Sequence, residues 1–173
     1  MSTASIREAI ERLSASISAD AAKAKAKNVP ATARLREGLQ CELTGPYHER
    51  FLTDMPPAMG GAAAGPNPGW LLRGALASCT ATVIAMRAAK EGIALQALEV
   101  TVETDSDLRG ILGMDDGVSA RHAVMRMKVK IGAPGVSPEA LRELVTWAEA
   151  HSPVSCTVKE APACSLEVEV VKE

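Results

Sequence analysis

Three segments in the second half of the chain alternate hydrophobic and polar residues, the pattern of a β-strand with one face toward solvent. The outward positions of the first and third segments are acidic, and those of the second are basic. Opposite charges on neighbouring strands attract, so we expect the basic strand to lie between the two acidic ones. The inward residues are Leu98, Val100 and Val102; Met125, Met127, Val129 and Ile131; and Leu166, Val168 and Val170.

The first third of the chain combines a helical pattern with short β-prone pieces. Hydrophobic residues recur at helical spacing from Ile6 to Ile17, and Ser5 with Glu8 has the form of a capping box, which predicts an amphipathic helix. Residues 31–54 are divided by glycine and proline into short segments that favour a small antiparallel β-meander. Residues 55–68 are mostly Pro, Gly and Ala, so we expect a loop long enough for a functional or mobile role.

The clearest predicted element is a long helix in the middle of the chain. Asn67 is a favourable N-cap, Pro68 suits the first helical position and Gly92 marks the end, so the helix spans 67–91. The apolar run 70–86 is too short to span a bilayer and contains Arg73, which favours a buried core helix. One face carries large apolar residues and the opposite face is rich in alanine, so we expect protein to cover the helix nearly all round. The apolar face consists of Leu72, Leu76, Cys79, Val83 and Met86.

Two further helices are predicted between the second and third strands, at 137–150 and 152–162, because each begins with Ser-Pro. The elements together predict an α/β (α+β) fold with the central helix running through its middle. A single domain is expected to cover residues 1–173. Its parts are a helical extension (1–28), a β-meander (31–54), the central helix (67–91) and a ββααβ half (96–173).

Composition excludes several classes of partner. The chain has 173 residues, 47% of them hydrophobic, which suits one compact domain. A formal charge of −2 with a single Phe and a single Tyr argues against nucleic acid and against an anionic membrane surface. The first thirty residues contain charged residues and no continuous apolar run, so we expect no signal peptide and a cytoplasmic protein.

Four cysteines, Cys41, Cys79, Cys156 and Cys164, lie far apart and form no C-x-x-C pair. This spacing fits neither a zinc cluster nor a disulfide scaffold, so the side chains are expected to be thiols. Cys41 and Cys164 fall in predicted strands and are interpreted as packing residues. The segment from Asp105 to Asp116 has some acidic residues of a calcium loop but not its ligand pattern, so no metal site is predicted there. Residues 108–118 are instead expected to form a loop or short helix at the mouth of a pocket.

A cysteine on an apolar helix face is more often a small core residue than a nucleophile. The surrounding string NPGWLLRGALASCT, residues 67–80, resembles the central-helix motif of the OsmC/Ohr family of organic hydroperoxide reductases. In that motif an Asn-Pro pair opens the helix and the reactive cysteine follows about three turns later. The order of predicted elements agrees with the family over most of the chain.

The resemblance implies an OsmC-like fold, in which antiparallel sheets wrap around a long buried central helix, and an intertwined homodimer with the active site at the subunit boundary. It also implies a two-cysteine peroxidase in which Cys79 attacks an organic hydroperoxide as a thiolate and becomes a sulfenic acid, which a second thiol converts to a disulfide. An external dithiol would supply electrons, and no metal or organic cofactor is needed. In the family, an arginine and a glutamate near the sulfur favour the thiolate.

The sequence departs from the family pattern at two positions. Gly69 stands where peroxidase members carry the glutamate, and Ser152 stands where the second cysteine precedes Pro-Val-Ser. Cys156 follows one helical turn later and is the candidate resolving residue. His151 could hydrogen-bond a nearby thiol or serve only as a neighbour of the helix cap. The candidate arginines are Arg34, Arg36 and Arg50.

Two other functions remain open from the sequence. One is a non-catalytic member of the same fold that binds a small apolar molecule or senses oxidants through Cys79, which Gly69 and Ser152 favour. The other is a purely structural dimer without a reactive thiol. The leading interpretation is reduction of apolar organic hydroperoxides, because the expected surroundings of Cys79 are Leu, Val and Met side chains.

Overall fold

The predicted meander forms near the start of the chain. The structure, a computed structural model, describes residues 2–171. Three short strands, β1 (Thr32–Leu35), β2 (Cys41–Thr44) and β3 (Arg50–Thr53), pair antiparallel in the order β1-β2-β3. Gly38 has a φ of +56° between β1 and β2, a conformation that glycine adopts without steric cost. The meander predicted for residues 31–54 is therefore confirmed.

A second sheet contains the long strands β4 (Ala97–Asp105) and β5 (Val124–Gly132), paired antiparallel over their whole length. Inward residues are half-buried and outward residues exposed in strict alternation along β4, as predicted. Charges on the exposed face pair across the strands: Lys130 Nζ donates to Glu99 at 2.8 Å, and Lys128 Nζ donates to Glu103 at 3.0 Å. The attraction predicted between an acidic and a basic strand is thus present for this pair.

The third predicted strand does not form in the single chain. Residues 161–171 have no regular secondary structure, and Leu166 and Val170 are 89% and 82% exposed. A strand is stabilised by hydrogen bonds to a neighbouring strand, and β4 and β5 pair only with each other in the described chain. Each of these two strands therefore keeps one unpaired edge, and residues 161–171 do not pair as a strand with either edge in the described chain. The basic strand accordingly has one acidic neighbour instead of two.

The first helix, α1 (Thr3–Ala19), begins earlier than the capping box predicted. Ser2 is the N-cap, and its side chain accepts a hydrogen bond from the Ser5 backbone N–H. A serine at residue 2 or at residue 5 can accept a hydrogen bond from a free N–H of the first turn, so the sequence pattern did not distinguish Ser2 from Ser5 as the N-cap. The helix packs against the central helix.

The central helix α2 (Pro68–Lys90) begins and ends as predicted. The Asn67 side chain accepts a hydrogen bond from the Trp70 N–H at 2.9 Å, and Gly92 follows the C-cap with a φ of +73°. The remaining helices are α3 (Leu108–Ile111), α4 (Pro138–Ala150) and α5 (Pro153–Lys159). Residues 108–111 thus form the short helix expected between the strands.

Burial of α2 by its own chain is one-sided, whereas the sequence predicts protein cover nearly all round the helix. Its buried row is Leu76, Thr80, Ile84 and Ala88, and the last two of these pack on α4. The other side exposes apolar side chains, among them Leu72 at 40% and Met86 at 42%. Within one chain the meander strands contact each other instead of covering this side.

The helix α2 is long and apolar enough to cross a membrane by length and composition alone. The prediction that the apolar run is too short considered residues 70–86 and omitted the alanines that follow. The helix lies in the middle of the chain and one row of it forms the core with α4. Its exposed apolar side is the feature that needs a covering surface.

The loop before α2 is organised by one buried carboxylate, which the sequence did not single out. Asp54 is 2% exposed and accepts hydrogen bonds from the backbone N–H groups of Met55, Ala62 and Ala64 at 2.8 to 3.1 Å. These bonds, the one from Ala64 foremost, hold the pKa of Asp54 below its ordinary value. A Cβ at Gly65 would collide with the Leu52 carbonyl oxygen, so only glycine fits that close approach. The Pro/Gly/Ala loop, residues 55–68, is therefore held in place by hydrogen bonds to Asp54.

We expect this carboxylate to make stability depend on pH in the acid range. Because the pKa of Asp54 is lower in the folded than in the unfolded protein, its contribution is fully present above the ordinary value of 3.8. The contribution is lost as pH falls from there through the folded pKa. Replacing Asp54 with Asn puts an amide NH2 against backbone N–H groups, so Asp54→Asn should lower the Tm at pH 7. Its Tm should also fall less steeply below pH 3.8 than that of the wild type.

Thermal unfolding at a series of pH values measures both effects. Asp116→Asn, at an exposed aspartate in the turn after α3, is the matched control and should behave as the wild type. Parallel acid profiles for wild type and Asp54→Asn would contradict the role assigned to this carboxylate.

Candidate functional site

Cys79 lies half-buried on α2, where α5 packs against that helix. The Ser152 hydroxyl donates a hydrogen bond to the Cys79 sulfur, with an Oγ–Sγ distance of 3.2 Å. Ser152 is fully buried, so this contact is shielded from solvent. Ser152, at the position where the family resemblance expects the second cysteine, therefore contacts Cys79 through a hydroxyl group.

Local structure explains why Ser152 is held in this place. Ser152 is the N-cap of α5, and its Oγ accepts a bond from the Ser155 backbone N–H at 3.4 Å. Pro153 at the first helical position fixes the turn. A hydroxyl has two lone pairs and one proton, so accepting from Ser155 leaves the proton for the sulfur.

Cys156, the predicted resolving residue, lies one turn further along α5 and is exposed. Its thiol donates to the carbonyl oxygen of Ala150 at 3.3 Å. Of the two cysteines predicted for the site, Cys79 accepts a hydrogen bond from a buried side chain, and Cys156 donates one to a backbone carbonyl at the surface. Cys41 is half-buried in β2, whereas Cys164 is exposed and lies outside any strand.

The three candidate arginines lie on the meander, around one carboxylate. Glu42 of β2 forms ion pairs with Arg36 and with Arg50, and Arg34 is its partner residue on β1. The hydrogen bond from Arg36 holds the pKa of Glu42 below its ordinary value. These strands do not pack on α2 within one chain, so none of the three arginines is placed beside its own chain's Cys79.

The space beside Gly69 is occupied by an imidazole, which the sequence analysis missed. A Cβ at residue 69 would lie 3.4 Å from Cε1 and 3.5 Å from Nε2 of His122. The other ring nitrogen of His122, Nδ1, is 2.6 Å from the Ser106 hydroxyl. His122 had no local motif, because it comes from the loop before β5 and meets α2 only in the fold.

His151 contacts an aromatic ring and not a thiol. Its Nδ1–H donates to the Trp147 carbonyl oxygen at 2.7 Å, and its ring stacks on Trp147 with centroids 3.9 Å apart. The Arg87 guanidinium lies 4.4 Å from the centroid of the same tryptophan. The sequence offered two interpretations of His151, as a hydrogen-bond partner of a thiol or as a neighbour of the helix cap. These contacts agree with the second.

An apolar cavity of about 170 Å³ lies between α2, the β4–β5 sheet and α5. Leu, Val and Met side chains line it together with the charged Arg126, Glu149 and Lys159, and Cys79 is not among the lining residues. Leu76, three residues before Cys79, is the α2 residue that lines it. The apolar side chains are Leu76, Val102, Met125, Met127 and Val158.

The acidic segment that resembles part of a calcium loop is engaged with arginines. Asp105 binds Arg126 through both carboxylate oxygens at 2.7 and 2.8 Å. Arg109 lowers the pKa of Asp107 to about 2 through its hydrogen bonds. Within residues 2–171, no three His, Cys, Asp or Glu side chains are grouped so that they could hold a metal ion.

The fold and the site define a class of protein: an α/β chain in which a cysteine on a long central helix meets the start of a short Ser-Pro helix. A family model described as OsmC-like protein matches residues 60–167, well over half of the chain. The chain belongs to this family. No curated protein has a sequence that matches significantly.

Solved structures share the fold at low sequence identity. An OsmC-like protein from Mycoplasma pneumoniae is 17% identical with a TM-score of 0.67, covering 79% of this chain and 91% of its own. An organic hydroperoxide resistance protein OsmC from Legionella pneumophila is 17% identical with a TM-score of 0.56, covering 78% and 93%. A putative organic hydroperoxide resistance protein from Vibrio cholerae, with captopril bound in one of its active sites, is 21% identical with a TM-score of 0.53, covering 79% and 88%.

Proposed function

We propose that the protein is a thiol-dependent reductase of organic hydroperoxides in which Cys79 is the nucleophile. The observation that carries this proposal is the hydrogen bond from the buried Ser152 hydroxyl to the Cys79 sulfur. A donor aimed at the sulfur stabilises the negative charge of a thiolate, the form that attacks peroxides. Membership of the OsmC-like family and the hydroperoxide resistance proteins among its structural neighbours support the same chemistry.

The reaction has three steps. The Cys79 thiolate attacks one peroxide oxygen, the O–O bond breaks, and the departing alkoxide takes a proton and leaves as an alcohol. Cys79 has then become a sulfenic acid, with which the resolving thiol of Cys156 condenses to give a disulfide and one water. An external dithiol finally reduces this disulfide by thiol exchange, which regenerates both thiols and leaves the carrier as a disulfide.

We further propose that the protein acts as a homodimer in a reducing, cytoplasmic compartment. The uncovered side of α2, the separate meander and the strand-like tail 161–171 are three apolar or unpaired surfaces that a second copy would cover. A partner's meander would bring arginines toward Cys79, which the chain's own meander does not reach. A cytoplasmic dithiol pool would keep Cys79 reduced between turnovers.

Turnover with an apolar hydroperoxide tests the proposed activity. Native protein with excess dithiol should consume cumene hydroperoxide through many cycles, and faster than it consumes hydrogen peroxide. The preference is expected because an apolar substrate gains binding energy from the Leu, Val and Met side chains of the cavity between α2, the β4–β5 sheet and α5. Loss of one equivalent of peroxide without further turnover would favour an oxidant sensor. Native thiols that do not react with peroxide would exclude both the reductase and the sensor.

Cys156 is the proposed resolving thiol, and its position makes a specific prediction. A cysteine one turn along the helix from Ser152 is shifted by about 6 Å, whereas disulfides need Cα separations of roughly 4.4 to 6.8 Å. Because Ser152 already contacts the sulfur, Cys156 reaches Cys79 only if α5 moves or unwinds on oxidation. Protein treated with one equivalent of cumene hydroperoxide should contain a Cys79–Cys156 disulfide in a peptide map by mass spectrometry.

The variant Ser152→Cys is the matched positive control for this experiment. It places a thiol at the Ser152 hydroxyl position, so the introduced thiol should form a disulfide with Cys79 without movement of α5. A wild-type Cys79 sulfenic acid that persists with Cys156 still reduced, beside rapid disulfide formation in Ser152→Cys, would contradict the resolving role of Cys156.

That outcome would support the second candidate function, a one-cysteine oxidant sensor or small-molecule binder of the same fold. Two observations favour it. Ser152 cannot form a disulfide, and Gly69 supplies no carboxylate to orient an arginine.

A further inference from the structure

A cavity of about 290 Å³ lies over the start of α2, between the loop that precedes this helix and α3. Its volume is near the lower end of small-molecule sites, which span about 300–1,000 Å³. Its walls are apolar except for a few polar side chains gathered beside the helix. The apolar side chains are Met55, Met59, Leu108, Ile111 and Ala120, and the polar ones include Arg73, Ser106, Asp107 and His122.

We propose that this cavity binds a small carboxylic acid with an apolar chain, the carboxylate resting on Arg73 and His122. The proposal concerns a binding site separate from the thiol chemistry. Arg73 lies six residues before Cys79, about 9 Å along the helix axis and on a different face. Binding therefore does not depend on Cys79.

The charge of Arg73 is not compensated by an acidic side chain. Its guanidinium is half-buried, and Nη1 donates to the neutral hydroxyl of Thr104 at 3.1 Å. Within residues 2–171 no carboxylate lies within 4.0 Å of it. The one acid in the cavity wall, Asp107, is held by Arg109 through both of its oxygens. Guanidinium has five N–H donors, so most of those on Arg73 are available to a bound carboxylate.

His122, from the loop before β5, supplies a second donor to the cavity. When the Ser106 hydroxyl donates to Nδ1, the ring proton lies on Nε2, a nitrogen that faces Gly69. Because residue 69 is glycine, the imidazole packs closely against the start of the helix, where a Cβ would already be in van der Waals contact with the ring. A glutamate at this position would place a carboxylate of the chain itself inside the cavity.

The apolar part of the ligand is indicated by the side chains around the rim. Leu108 and Ile111 of α3 are 57% and 55% exposed, although both line the cavity. An alkyl chain lying between them and the two methionines would cover part of this exposed surface. One charged end and one apolar end together define a medium-chain carboxylic acid.

Isothermal titration calorimetry of the full chain with octanoate tests the proposal. Octanoate should bind saturably at one site per chain, and octanamide, which has the same shape without the charge, should bind at least about tenfold more weakly. Arg73→Gln should weaken octanoate binding by about tenfold or more. Arg12→Gln, at an exposed arginine on α1, should bind as the wild type, and so should Cys79→Ser.

A second variant keeps the test decisive if Arg73→Gln does not fold. Gly69→Glu should abolish octanoate binding, because its carboxylate occupies the space beside His122 and competes for Arg73. In the wild type, octanoate should shift the His122 ring signals in NMR spectra. Equal affinity for octanoate and octanamide, unchanged binding by the folded Arg73→Gln or Gly69→Glu variant, or no saturable binding would overturn the proposal. Octanoate binding by a Cys79→Ser variant that lacks peroxidase activity would show that the binding site is independent of the proposed enzymatic function.

Discussion

The variant Cys79→Ser is expected to lose hydroperoxide reduction by at least about a thousandfold, the scale seen when a nucleophile is removed. A hydroxyl does not attack an O–O bond or cycle through a sulfenic acid, so no residual thiol route remains at this position. The substitution is nearly isosteric, and Ser152 retains a hydrogen-bond partner. The free energy of unfolding should therefore change by only about 1 kcal/mol.

Peroxide consumption with excess dithiol and urea unfolding monitored by circular dichroism measure these two quantities. Cys41→Ser and Cys164→Ser are the matched controls and should retain wild-type turnover, since neither thiol contacts Cys79 or Ser152. Wild-type turnover by Cys79→Ser would show that the catalytic assignment is wrong, whatever the fold.

The second large effect that we expect is dissociation of a homodimer when the uncovered side of α2 is disrupted. The exposed or half-exposed residues on this side recur at three- and four-residue spacing, and small residues among them permit close helix packing. An obligate interface of this kind buries more than about 2,000 Å² in total. The residues of this row are Leu72, Ala75, Cys79, Thr82 and Met86.

Sedimentation of the wild type should give twice the chain mass of 18.1 kDa. Thr82→Arg places a large charged side chain at an exposed position within the row and should shift the protein to monomers or unfold it, because an obligate dimer folds only as it associates. Ala15→Arg, at an exposed alanine of α1, is the matched control and should leave the dimer intact. A wild type that sediments as a monomer in dilute solution, with an unfolding midpoint independent of concentration, would exclude this interface.

The elements of this protein were determined by residues close to one another in the chain. The N-cap Asn67, the Pro68 that follows it and Gly92 act within one turn of each helix end, so the bounds of α2 were predicted to within a residue. The alternation along β4 and β5 depends on the side-chain period of a single strand, and it too was predicted. The motif around Cys79 identified the family from a similarly local pattern.

Only the tertiary structure decided which groups meet. The family motif placed Ser152 at the position of the second cysteine, but its contact with Cys79 across 73 residues of chain depends on the packing of α5 on α2. His122 reaches Gly69 in the same way, from a loop much later in the sequence. The alternation along residues 166–170 predicted a third strand, but this segment pairs with neither unpaired edge of the β4–β5 sheet in the described chain. Local sequence determines what each segment prefers, whereas packing between distant segments determines which side chains share a site.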